Sequence, residues 1–148
     1  EWSAENEIPF VQAALPHAKL VVGLFGDHAP ATVTGIVKGL VHAGRQQPLV
    51  VVASTDMLHD PDYAKVARTD RQTLKLAAGL DADGIRRSWR HDNQVFCGLM
   101  PVLAIIEYAR ALGCASGTLL HYRNSGDDFP ESRGEWVVGY GAMVYAVS

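Results

Sequence analysis

Cysteine is scarce: Cys97 and Cys114 are the only two in 148 residues. That excludes a disulfide framework and leaves both as expected free thiols of a reducing compartment. Positive charge is also short, with 13 Lys and Arg against 16 Asp and Glu. The resulting net charge of −3 gives no general pull toward nucleic acid or an anionic membrane. No apolar run is long enough to cross a bilayer, and no basic start leads into an apolar segment of signal-peptide type, so a cytoplasmic location is expected. The chain lacks an internal repeat, a low-complexity tract, a Gly-rich phosphate loop and a paired-cysteine zinc pattern.

What is present suits a single domain over residues 1–148, since 48% hydrophobic content is normal for a chain that buries a core. Residues 48–53 are an apolar run behind Pro48 that ends in Ser54-Thr55-Asp56-Met57-Leu58-His59. Such a run fits a strand buried on both faces of a parallel sheet, and ligands of open α/β sheets sit outside the carboxyl ends of such strands. Asp56 and His59 are therefore candidates for an acid–base pair or for a metal ligand and its orienter. The alternative is a turn-forming or helix-capping Asp56 beside an ordinary loop histidine.

Residues 19–25 form a second apolar run with the same kind of polar exit, Gly26-Asp27-His28. Between the two runs, Val33, Ile36, Val37, Leu40 and Val41 make a complete helical stripe that begins near Pro30 and stops at Gly44. Ahead of them, Ile8, Val11 and Leu15 predict a first helix over residues 3–15, with Ser3 and Asn6 as an imperfect cap and Pro9 as a kink or restart. Strand, helix, strand in that order argues for a parallel crossover. The expected fold is α/β, three layers, with a mostly parallel central sheet and helices on both faces.

Further on, residues 63–80 read as a helix that places Asp70 near its apolar side, which is unusual for a carboxylate. Residues 81–91 read as a short helix and loop whose arginines form a solvated face. Cys97 precedes a helical stripe ending near Gly113, a position that favours a thiolate, although a buried free cysteine is the commoner case. Residues 118–122 and 136–147 read as strands separated by a polar loop at 124–130.

With these pieces placed, the chain resembles the C-terminal half of the Memo-like family, the B component of the AmmeMemoRadiSam system, whose fold is similar to class III extradiol ring-cleavage dioxygenases. Six fragments carry the resemblance in order: Glu1-Trp2-Ser3-Ala4-Glu5 running into Ile8-Pro9-Phe10, the exit from Val51 to His59, Asp70-Arg71-Gln72-Thr73, Phe96-Cys97-Gly98 with Pro101, Leu120-His121-Tyr122 with Ser125-Gly126, and Val137-Val138-Gly139-Tyr140. The resemblance implies that Cys97 joins two histidines at an iron or copper ion, that His59 and Asp56 do acid–base work, and that Ser54, Trp2, Asp70 and Tyr122 line a substrate cleft. Trp2 stands where the family's helix carries a histidine, and neither metal-binding histidine pattern of the family's N-terminal half is in this chain.

Two further ligands are therefore expected outside residues 1–148, on a missing N-terminal half or a partner chain; the start at Glu1 fits a piece of a longer polypeptide. The leading expectation is a metal-dependent, dioxygenase-like oxidoreductase acting on a small, catechol-like molecule. A non-catalytic binding or scaffold domain that keeps the cleft is the alternative, and a hydrolase with Cys97 as nucleophile ranks third. Neither a nucleic acid nor a membrane is an expected partner.

Overall fold

A computed structural model of the chain describes residues 2–147, the side chain of Trp2 excepted. The first helix, α1 (Trp2–Ala14), runs through Pro9 without a break, at the loss of one backbone hydrogen bond. Ser3 lies inside it and so does not cap it. The helix α2 (Pro30–Gln46) begins on Pro30, whose fixed φ suits a first turn, and outlasts Gly44 by two residues. Just ahead of it Asp27 accepts from the Ala29 amide and the Thr32 hydroxyl, at 2.8 and 3.1 Å. Those bonds, the amide bond first, hold the Asp27 carboxyl below its usual pKa.

A two-residue strand, β1 (His59–Asp60), leads through the turn at Pro61 into α3 (Tyr63–Ala78). Asp62 caps α3 by accepting from the Lys65 amide at 3.0 Å. Helix α4 (Ala82–Ser88) is capped in the same way by Asp81, and α5 (Leu99–Ala111) follows Gly98. Two long strands, β2 (Gly117–Asn124) and β3 (Val137–Tyr145), close the chain. Between them the expected polar loop holds one helical turn, α6 (Ser125–Asp128): the Asn124 side chain accepts from the Asp127 amide, and Asp127 accepts from the Asn124 amide.

The sheet corrects the expected architecture. Among the described residues it has three strands in the order β1-β3-β2, and every pairing is antiparallel. The two runs predicted as central parallel strands, residues 19–25 and 48–53, are in no ladder. Their composition encodes an extended chain buried on both faces, but a strand also needs a hydrogen-bonding neighbour, and no described segment supplies one. Val21 is accordingly 90% exposed and Val50 72%. Helices do not cover both faces either: α3 packs on one face of β2 and β3, while on the other Tyr140 and Val144 remain half exposed.

The core forms where α3, α4 and α5 meet, with Leu74, Ile85, Leu103 and Ile106 buried and Val33 of α2 joining them. Each such side chain contributes about 1.5–3 kcal/mol relative to an exposed one. The sheet reaches this core through glycine. A Cβ on Gly139 would overlap the Asp70 carboxylate, and one on Gly141 would press on Leu74. Gly139→Ala is thus expected to cost about 2 kcal/mol or more in urea unfolding, because the carboxylate must move or the strand must lift; a loss under about 0.5 kcal/mol would show that the contact is slack.

Candidate functional site

Backbone pairing creates the site. The Met57 amide donates to the Gly139 carbonyl and the Gly139 amide to that of Leu58, at 3.0 and 3.2 Å, so residues 57–60 lie along β3. On the other side of this segment the Cys97 amide donates to the Asp56 carbonyl at 3.0 Å, and the Gly98 amide to Thr55 Oγ1 at 2.7 Å. These bonds bring the backbone of residues 97–98 against the segment that carries Asp56 and His59. His59 Nε2 is 3.3 Å from Asp56 Oδ2, both side chains being a little under half exposed. Cys97 is exposed and free, whereas Cys114 is buried. The pairing of His59 with Val138 turns the imidazole toward the sheet face that α3 leaves open.

Beneath this rim lies Asp70, fully buried on α3. Its Oδ1 accepts from the Leu58 amide at 3.3 Å and its Oδ2 from the Tyr122 hydroxyl at 2.8 Å. Burial pushes the Asp70 carboxyl up to about 6, against the lowering effects of Tyr122, Leu58 and the nearby His59. Burial likewise is the main cause that lifts the Tyr122 hydroxyl well above its usual value. One carboxylate therefore links α3, β2 and the segment that carries His59.

The sequence-predicted residues separate into two groups. Asp56 and His59 pair at the rim, and Cys97 is tied to Asp56 through its backbone amide. Asp70 and Tyr122 bond to one another below it, and with no exposed surface Asp70 acts as a support for the rim. Ser54 is turned to α1, with its Oγ 2.9 Å from the Ser3 carbonyl and 3.2 Å from Glu7 Oε1. Trp2 as a cleft residue lies outside the described side chains. Sequence reasoning missed Tyr140, which neighbours Asp56: partial burial, and then that carboxylate's charge, raise its hydroxyl pKa. The signal was the alternation along β3, in which Gly139 and Gly141 face α3 and Tyr140 therefore faces the open side.

Among the described residues no three His, Cys, Asp or Glu side chains converge to hold a metal ion. The donors present amount to one free thiol and one carboxylate–imidazole pair. No helix is long and apolar enough to cross a membrane.

An exposed free thiol and a carboxylate–imidazole pair beside a three-stranded antiparallel sheet mark an α/β module. The chain belongs to the Memo-like protein family, whose sequence profile matches residues 1–144. It is similar to a MEMO1 family protein of Methanopyrus kandleri, 29% identical over 98% of this chain and 52% of the relative. MEMO1 family proteins of Desulfurococcus amylolyticus, at 27% over 99% and 52%, and of Thermoplasma volcanium, at 29% over 97% and 52%, are similar in the same way. The chain spans about half the length of these curated relatives. No solved structure matches it significantly.

Two outcomes follow from the geometry. Iodoacetamide on the native chain should label Cys97 within minutes and Cys114 only in denaturant, as read by peptide mass spectrometry; equal labelling of both thiols would contradict the packing. Burial raises the Asp70 carboxyl from its ordinary 3.8 to about 6, so the folded state holds its proton more tightly than the unfolded one. Its contribution to stability is greatest below the lower value, falls as pH rises through the higher one, and stays lost above it. Relative to Asp70→Asn, the natural chain should lose up to about 3 kcal/mol of urea stability between roughly pH 4 and 7; parallel pH profiles would contradict the assignment.

Proposed function

We propose that the chain is the thiol-bearing half of a Memo-like metal cleft that acts on a small, catechol-like molecule. The observation that supports the reading is the bond from the Cys97 amide to the Asp56 carbonyl, which ties residue 97 to the segment that carries the Asp56–His59 pair. The Asp56 carboxylate lies 3.3 Å from His59 Nε2. In this reading the carboxylate orients the ring and leaves the other nitrogen to take a proton from, or return it to, a molecule lying on the open face. Tyr140 adds a hydroxyl beside Asp56 that can orient the same molecule.

Cys97 fits one ligand of an iron or copper site, and among the described residues no three donors converge to complete it. The remaining two would have to come from polypeptide outside residues 1–148. Iron or copper bound at a site with open positions supplies redox chemistry there; this chain's own part is to present the thiolate, move the proton and support the rim through Asp70. A second reading is a binding domain without turnover, favoured by Trp2 where the family's helix carries a histidine.

Metal content tests the first reading. In protein purified as its host makes it, Cys97→Ala should reduce bound iron or copper to background, and an unchanged content would remove Cys97 from the site. Oxygen uptake with a panel of catechols separates the two readings: turnover that His59→Ala lowers about 100-fold or more is expected for the enzyme, and none, with metal supplied, for the binding domain.

A further inference from the structure

Helices α3 and α4 and the turn after α4 enclose an open cavity of about 320 Å³, apart from the rim that carries Asp56 and His59. Arg87 and Ser88 at the end of α4 line it, with Arg90 and Asn93 just beyond, and α3 contributes Thr69 and Gln72. Among the described residues no carboxylate lines it. Both arginines are exposed, and neither guanidinium has an ion-pair or hydrogen-bond partner among the described residues. By contrast, Arg110, Arg123 and Arg133 are engaged with Glu107, Asp128 and the Gly126 carbonyl.

The backbone that carries these arginines is fixed, while their side chains are uncommitted. Asp81 caps α4 by accepting from the Gly84 amide at 2.8 Å, and the Trp89 indole, between the two arginines, donates to the Phe96 carbonyl at 2.9 Å. Arg90 and Asn93 then exchange backbone bonds of 3.2 and 3.1 Å. A cation in the last turn of a helix answers the helix dipole, which accounts for Arg87 but not for Arg90, outside α4. Two guanidinium groups at one cavity without a counter-charge repel each other, and a bound anion relieves that cost. Their planar forks match the oxygens of a phosphate, and two positive charges match its dianion. The volume is at the lower end for small-molecule pockets, enough for a phosphate and a small organic body. We propose that this cavity binds a phosphate group, free or carried by a small organic ester, with Arg87 and Arg90 as its charged contacts and Gln72 and Asn93 as neutral donors. The site is independent of Cys97 and of the metal reading.

The test is an NMR titration of the full chain with inorganic phosphate, ribose 5-phosphate and ribose, in about 0.15 M chloride so that long-range attraction is screened. Backbone amides of residues 69–73 and 87–93 should shift saturably with at least one of the two phosphates, with a Kd of about 1 mM or tighter, and not with ribose. Tighter binding of ribose 5-phosphate supports an ester as the ligand, and equal binding of the two supports free phosphate. Arg87→Ala and Arg90→Ala alter exposed side chains, so circular dichroism should be kept while each weakens binding about tenfold or more. Arg86→Ala is the control for general charge: Arg86 lines a different, smaller cavity, and its loss should change the Kd less than about twofold. Shifts that fail to saturate below about 20 mM, that spread over basic residues outside the cavity, or that ribose alone reproduces overturn the proposal. So does a loss of affinity in Arg86→Ala equal to that in Arg87→Ala and Arg90→Ala.

Discussion

The Asp70 carboxylate is the constraint on which the site depends. Two structural demands meet at it: the Leu58 amide, beside His59, requires an acceptor in the core, and the Tyr122 hydroxyl of β2 requires one from the same interior. Either group left alone and buried would cost about 1–3 kcal/mol. Asp70 satisfies both from a single position on α3. The close approach of β3 that makes this possible requires Gly139, where any side chain would occupy the carboxylate's place. A buried acid is retained here at a cost in desolvation, and the return is a fixed path for the segment that presents Asp56 and His59.

From that fixed segment the rim follows. Met57 and Leu58 exchange bonds with Gly139, Asp56 accepts from Cys97, and the alternation of β3 turns Tyr140 to the same side as the imidazole. The face they share is bare because α3 occupies the other one. The exposed runs at residues 19–25 and 48–53 border a structure that buries its helical core well and its strands poorly. The chain spans about half the length of the curated relatives it matches.

Much of the chain could be read in advance where the information is local. The apolar stripe of α2, the turn that starts α3, and the inward placement of Asp70 all follow from spacing within a few residues. The same is true of the two closing strands. Residues 19–25 and 48–53 were legible as apolar but not as unpaired, because pairing depends on a neighbour that sequence alone does not place. The polar run at 124–128 hid a helical turn, since the Asn124–Asp127 capping box uses the same residue types as a loop. Family resemblance indicated that Asp56, His59 and Cys97 belong together. That the contact runs through backbone groups, and that Asp70 supports it from below, became visible only in three dimensions.

Residue-resolved amide exchange at Leu58 tests the central claim most directly, because that N–H is the donor through which Asp70 holds the His59 segment. In the natural chain it should be protected to nearly the level of global unfolding, and Asp70→Ala should lower that protection by about 100-fold or more while amides inside α5 stay protected relative to the variant's own unfolding. A Leu58 amide that exchanges as fast as an open loop in the natural chain, or one indifferent to Asp70→Ala, would contradict the account.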